Sequence, residues 1–246
     1  MRNISLIIVT SVRNNLQLKY VTIIFIVLTL MLVAGIALSL CLLLIAPAMD
    51  VESPDLNKLE LYLGLIMYGT CFIGLGINLN SFAFQSMVRE KSRGNIQSLL
   101  ATTLKVKDIW IAKSLALFIP GLVMGEVLTF IVLIVVNYIY FVPTIGFLFN
   151  PWIAISSFLI VPLIYLCLGL LVHLIGLTGK PANGNVIAQI FLPTATSTMI
   201  NLAAHNILDI TSWSFALANT GIVAIFVIIV IILRFRLTKE RIILSH

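Results

Sequence analysis

Six long runs of apolar residues alternate with short polar segments along the chain. The runs cover residues 20–46, 61–84, 109–140, 152–177, 186–204 and 214–233. A helix needs about 20 residues to cross the ~30 Å hydrocarbon core of a bilayer, and every run is near or above that length. Because backbone groups cannot be left without partners in lipid, the runs must be helical. The pattern predicts an all-α membrane protein with six transmembrane helices.

Residues 1–19 precede the first run and carry a different pattern. Apolar side chains recur at every fourth position, at Ile4, Ile8, Val12 and Leu16. Polar residues such as Arg13 and Asn14 fall between them. This pattern is typical of an amphipathic helix that lies in the membrane interface before the first span. The alternative is a frayed basic tail.

Composition supports a membrane protein rather than a soluble one. Of the 246 residues, 61% are hydrophobic and 10% are charged, and the mean hydropathy is +1.15. Soluble domains are closer to half apolar and a quarter charged, so the excess here must face lipid. We expect one membrane domain over residues 1–246. The three cysteines, Cys41, Cys71 and Cys167, lie inside apolar runs and are interpreted as small apolar side chains.

The basic residues predict how the chain is oriented. If the six runs cross the membrane in turn, 14 of the 15 Lys and Arg residues fall on one side. Lys58 alone falls on the other side, among four acidic residues. Lys and Arg are retained in cytoplasmic loops, so both chain ends are predicted to be cytoplasmic. Short basic segments between spans do not form a nucleic-acid-binding surface, and no nucleic-acid partner is expected.

Residues 88–107, VREKSRGNIQSLLATTLKVK, form the main charged loop on this cytoplasmic side. Within it, Ile96, Leu99 and Leu100 have the i, i+3, i+4 spacing of one helical face. We therefore expect a short helix parallel to the membrane, with a surface for a partner. The alternative is an ordinary basic loop that only sets the topology.

This loop resembles the signature region of ABC-2-type exporter permeases. Arg89-Glu90-Lys91, Gly94, the run 99–102 and Lys113 match the family pattern in order and spacing. Two positions depart from it: Gln97 is nearest to the usual Glu, and Thr103 replaces the usual Pro. The match covers about 25 residues, and the six-span layout with an N-terminal interfacial helix extends the resemblance over the chain.

The resemblance implies two permeases, identical or related, with two ATPase subunits docked beneath them. Residues 88–107 would then hold the coupling helix, and the loop around 179–185 would make a second contact. The docking residues implied are Arg89, Glu90, Lys91, Gly94, Ile96, Leu99, Leu100, Gly179 and Lys180. ATP and Mg²⁺ would bind to the partner ATPase subunits. The sequence has no phosphate-binding loop of the G-x-x-x-x-G-K-S/T type. The nearest segment is 174–181, where Leu174 replaces the first glycine and Pro181 replaces the final Ser or Thr.

A few polar residues within the runs are candidates for a translocation path. Glu126 is the only acidic residue deep inside a run, and it follows the small-residue face Gly121-x-x-x-Gly125. A hydrogen-bonded packing role for Glu126 is the alternative. The other path candidates are Asn78, Asn80, Thr194 and Ser197. His173 is interpreted as a structural histidine.

The sequence thus predicts a permease subunit of an ATP-driven exporter in the plasma membrane of a prokaryote. One alternative is a proton-coupled secondary transporter that uses Glu126. Another is a membrane immunity or assembly protein. The sequence leaves open the substrate and whether the partner permease is a second copy.

Overall fold

A computed structural model describes residues 2–16, 19–51, 53–92, 95–102, 104–204, 207 and 209–244, and over these ranges the chain is all-helical. We number the helices in chain order. The first four are α1 (Arg2–Leu16), α2 (Lys19–Leu40, continued by Cys41–Ile45 and Ala46–Met49), α3 (Leu56–Ser92) and α4 (Asn95–Leu100). The others are α5 (Val106–Val136, continued by Asn137–Phe141), α6 (Pro151–Ile155, Ser156–Ile160 and Val161–Thr178), α7 (Pro181–Ala204), α8 (Trp213–Arg234) and α9 (Lys239–Leu244).

Five of these helices are long and apolar enough to cross a membrane, so the chain has the character of a multi-pass membrane protein. The stretches concerned are Ile26–Met49, Leu56–Leu79, Val106–Phe141, Pro151–Thr178 and Trp213–Arg234. The sixth predicted span, 186–204, lies in α7. The apolar part of α7 extends only from Val186 to Met199. A stretch of that length is shorter than a full crossing requires. The six-span count therefore stays a prediction.

Helix α3 lies at the centre of the bundle and contacts α2, α5, α6 and α7. Most of Leu56–Leu79 in α3 and of Pro151–Thr178 in α6 is buried. Ile26–Met49 of α2 and Trp213–Arg234 of α8 are instead mostly exposed, as expected of helices that face lipid. A chain of aromatic rings joins α3, α6, α7 and α8. Its members are Tyr68, Phe72, Tyr165, Phe191, Phe215 and Phe226. Ring centroids 5.1–6.2 Å apart are in the range of favourable aromatic contacts.

The small-residue face of α5 packs directly against α3. A methyl group placed on Gly125 would lie 2.9 Å from Leu75 Cγ, and one on Gly121 would lie 3.1 Å from Asn78 Cβ. On the facing helix, a methyl group on Gly74 would lie 3.4 Å from the Cα of Gly125. The small-residue face Gly121-x-x-x-Gly125 therefore lies where α5 and α3 approach closely, as such faces do in membrane helix pairs.

Hydrogen bonds between distant segments identify the two ends of the bundle. At one end, Asn150 Nδ2 donates to Glu60 Oε2 at 2.8 Å, while Asn150 Oδ1 accepts from the N–H of Trp152 at 2.9 Å and caps α6. At the other end, Lys91 at the end of α3 contacts the end of α6. We call these the Glu60 end and the Lys91 end.

The N-terminal segment is helical over Arg2–Leu16, and this helix packs against α5. Ile4, Ile8 and Val12 are half-buried, whereas Leu6 and Val9 are exposed. The predicted apolar row therefore corresponds to the more buried face of α1. The side chains of residues 15–20 lie outside the described part of the chain, and the position of α1 in the membrane interface stays a prediction.

Candidate functional site

A buried lysine joins the end of α3 to the end of α6. Lys91 Nζ donates a hydrogen bond of 2.6 Å to the carbonyl oxygen of Gly179, and Lys91 is only 6% exposed. Gly179 follows the last turn of α6, where carbonyl groups lack partners within the helix and the helix dipole is negative. An ammonium group is therefore favourable there, although burial lowers the pKa of Lys91 by removing water from the charge. This contact unites the two loops that the resemblance assigns to docking.

A second lysine holds the end of α4 in a similar way. Lys239 Nζ, at the start of α9, donates to the carbonyl oxygen of Leu100 at 3.1 Å. Leu100 is the last residue of α4, so this bond satisfies a carbonyl at the C-terminal end of that short helix. The C-terminal helix is thereby tied to the segment between α3 and α5.

Beneath α4, an apolar cluster joins the ends of several helices, and we call it the Lys91-end cluster. Its buried members are Ile96, Leu100, Ile109, Trp110, Leu171, Leu174, Leu177, Val230, Leu237 and Ile242. Trp110 also donates its indole N–H to the carbonyl oxygen of Leu170 at 2.9 Å. Helix α4 therefore packs on the ends of α5, α6 and α8.

The expected partner-facing row of α4 is thus largely turned inward. Ile96 and Leu100 are 4% and 5% exposed and pack within the Lys91-end cluster, and Leu99 is half-buried. The exposed side of this segment instead carries Gln97, Ser98 and Ala101. These three residues form the accessible surface of the segment, while Ile96 and Leu100 hold α4 on the bundle.

Other predicted docking residues are described only in part. Lys180 is exposed beside Gly179. Gly94 lies outside the described residues, and so do the side chains of Arg89 and Glu90. Their assignment to docking stays a prediction.

The predicted path residues do not form one site. Asn78 is buried at the α3–α5 crossing and donates to the Gly74 carbonyl oxygen at 2.8 Å, within its own helix instead of to a neighbouring one. Glu126 is half-buried on α5, next to Gly125. Thr194 and Ser197 lie on the exposed face of α7. The side chain of Asn80 lies outside the described part.

An apolar cavity, which sequence reasoning did not predict, lies between α2, α3 and α7 and has a volume of about 460 Å³. It is lined by Ile36, Leu40, Leu44, Leu61, Tyr62, Leu65, Tyr68, Gly69, Phe72, Ile73, Thr196, Met199 and Ile210. A second cavity of about 360 Å³ shares Leu44 and Tyr62 with it and lies at the Glu60 end. No sequence signal distinguishes such lining residues from residues that face lipid, because both are apolar.

Some polar side chains are buried elsewhere in the bundle. The hydroxyl group of Tyr68 donates a hydrogen bond of 2.8 Å to Asn219 Oδ1, which links α3 to α8. In the described part of the chain, Ser156, Ser157, Tyr165 and His173 each keep a buried polar atom without a hydrogen-bond partner. Over the same residues, no group of His, Cys, Asp and Glu side chains could hold a metal ion.

Comparisons of the chain with protein-family models, with curated proteins and with solved structures give no match. Its function must therefore be argued from its own residues and their packing.

Proposed function

We propose that this chain is the membrane-spanning permease subunit of an ABC-2-type exporter. Two such permeases, identical or related, would form the translocation path in the plasma membrane of a prokaryote. Separate ATPase subunits would supply the energy. The proposal rests on the match of residues 89–113 to the family pattern and on the way in which that segment is anchored.

The observation that carries the proposal is the anchoring of α4. Its end is bonded to Lys239, the preceding helix is bonded to Gly179 through Lys91, and its apolar side packs on the ends of α5 and α6. A loop that only sets topology has no need of a buried lysine and a packed core. A helix that transmits force to the spans requires firm contacts of this kind.

The coupling would work through the exposed side of α4. A partner that binds this side more tightly in one nucleotide state would favour the bundle arrangement that fits that state. Because α4 is packed on the ends of the spans, its displacement would shift those ends together. With 14 of the 15 basic residues on this side in the six-span arrangement, the Lys91 end would face the cytoplasm.

Glu126 supports a second candidate, a proton-coupled transporter. A carboxyl group half-buried between membrane helices is costly and is a candidate functional site. However, Glu126 is not accompanied by the other path candidates Thr194 and Ser197, which lie on the exposed face of α7. Transport that persists without ATP and is lost in Glu126→Gln would favour this second candidate.

Co-purification with a bulky substitution at Ala101, which is exposed directly after the end of α4, tests the proposal. The complex is extracted from native membranes, and the ATPase polypeptide bound per permease is measured together with ATP hydrolysis. We expect the unmodified chain to retain an ATPase subunit. We expect Ala101→Trp to lower the bound ATPase at least tenfold, because the indole would occupy the contact surface.

The matched control is Ala218→Trp, the same change at an exposed position near the start of α8, at the opposite end of the bundle. It should retain the ATPase at the original level. If the unmodified permease carries no ATPase subunit, the proposed function is wrong. If both variants retain the subunit equally, docking does not occur on α4.

A further inference from the structure

The larger cavity has the depth of a single membrane leaflet. It follows α3 from Leu61 to Ile73, which is ~18 Å along a helix. Half of a ~30 Å hydrocarbon core is about 15 Å. The chamber therefore extends from the Glu60 end to about the middle of the membrane, which is the depth that one acyl chain occupies.

The chamber offers an apolar surface almost throughout. Leu40 and Leu44 of α2 form one wall, Met199 of α7 forms another, and Phe72 of α3 lies between them. The hydroxyl group of Tyr68 is already engaged with Asn219. Such a chamber excludes water, which needs several polar partners. It would also exclude an extended peptide, whose backbone groups would lose their hydrogen bonds.

The mouth of the chamber has a different chemistry. The second cavity lies beside it, shares the lining residues Leu44 and Tyr62, and is also lined by Ser53, Asp55 and Lys58. Lys58 Nζ and Asp55 Oδ2 are 3.8 Å apart, and both side chains are at least half exposed. The mouth therefore offers one ammonium group, one carboxylate and one hydroxyl group at the level where a membrane lipid has its headgroup.

From this arrangement we infer that the two adjacent cavities together bind one membrane phospholipid, with an acyl chain in the chamber and its phosphate beside Lys58. The carboxylate of Asp55 would lie against the positively charged nitrogen of a zwitterionic headgroup, a charge contact that the quaternary ammonium of phosphatidylcholine can also make. A volume of about 460 Å³ lies within the range of small-molecule sites. The inference goes beyond the proposed function and does not depend on it, since lipid would bind without an ATPase.

Lipid photolabelling with a variant that fills the chamber tests this inference. A methyl group on Gly69 would meet no atom within 4 Å, so Gly69→Leu extends into the chamber without a clash of its Cβ. The matched control is Gly35→Leu on α2, where the space is equally open but which does not line the chamber. Both changes replace glycine in a helix, which favours helix formation.

The purified chain is reconstituted, without any ATPase, in phosphatidylcholine vesicles that contain a phosphatidylcholine with a diazirine near the end of one acyl chain. Labelled peptides are identified by mass spectrometry after illumination. We expect labelling of residues 61–73 in the unmodified chain and in Gly35→Leu, and at least a fivefold loss in Gly69→Leu. Equal labelling of these residues in all three proteins would overturn the inference.

The same assay, with a second variant and a second probe, tests the assignment of the headgroup separately. Lys58→Gln should weaken labelling by the phosphatidylcholine probe, because it removes the ammonium group from the mouth. Labelling by a diacylglycerol probe, which has the same chains but no phosphate, should not change. If both probes respond equally, the phosphate does not bind at Lys58.

Discussion

Alanine at Gly184 is expected to destabilise the protein more than alanine at Gly121 or Gly125, the two glycines of the α3–α5 crossing. Its Cβ would lie 2.5 Å from the carbonyl oxygen of Val172 and 3.3 Å from the carbonyl carbon. Both atoms belong to the backbone of α6, so no side-chain rotation can relieve the overlap. Forcing the start of α7 away from α6 should cost about 1–3 kcal/mol, as overpacking does elsewhere. Thermal unfolding of the purified protein in detergent measures the effect.

Gly221→Ala is the matched control for this prediction. Gly221 lies in α8 with no atom within 4 Å of the added methyl group. Alanine there should be neutral or stabilise the helix by up to about 1 kcal/mol. If Gly184→Ala melts at the same temperature as this control, α7 does not begin against α6 as described.

Methionine at Lys91 is expected to loosen the Lys91 end. The substitution keeps a long apolar side chain but removes the donor to the Gly179 carbonyl oxygen. A hydrogen bond from a charged group contributes about 1.5–3 kcal/mol, and the half-buried Gly179 carbonyl would also lose that partner. We expect a lower melting temperature and faster proteolysis between α6 and α7, measured in detergent at neutral pH.

Lys180→Met removes the same charge from the neighbouring exposed residue. It should leave the melting temperature unchanged, because an exposed lysine contributes little to stability. Equal destabilisation by the two variants would mean that Lys91 acts only through net charge. That result would remove one of the anchors on which the coupling proposal depends.

Hydropathy located the long helices well but not their ends. The predicted run 61–84 lies within α3, which extends from Leu56 to Ser92. The additional turns contain Asn57, Lys58 and Glu60, which lower hydropathy without breaking a helix. Hydropathy reports which residues can enter lipid, whereas helix ends are set by capping and chain direction. Helix α7 shows the same difference between helix length and apolar length. It is 24 residues long, but its apolar part extends only from Val186 to Met199.

The spacing of Ile96, Leu99 and Leu100 correctly predicted a short helix with an apolar face. It did not reveal what that face contacts, because a face buried in its own chain and a face for a partner have the same periodicity. The long-range contact of Lys91 with Gly179 spans 88 residues. No periodic pattern encodes such a contact. The basic residues predicted only that both loops lie on the cytoplasmic side, and the family resemblance implied that both contact the same partner.

The cavity could not be predicted for a related reason. Leu40, Leu65 and Met199 line a chamber, while Leu38 and Ile190 face outward, and all are apolar residues of membrane helices. In a soluble protein an exposed apolar patch would be conspicuous, but in lipid it is the usual surface. Only the relative positions of α2, α3 and α7 distinguish the two groups.

Site-specific crosslinking from α4 tests the central claim most directly. The photoreactive residue p-benzoylphenylalanine is placed at Ser98, on the exposed side of α4, and for comparison at Phe147, which is 50% exposed near the Glu60 end. After illumination of native membranes, the adducts are identified by mass spectrometry. The account predicts that Ser98, and not Phe147, becomes joined to a polypeptide that carries a Walker A phosphate-binding loop. The account would be contradicted if the protein with the photoreactive residue at position 98 formed no adduct, or formed an adduct only with polypeptides that lack this loop.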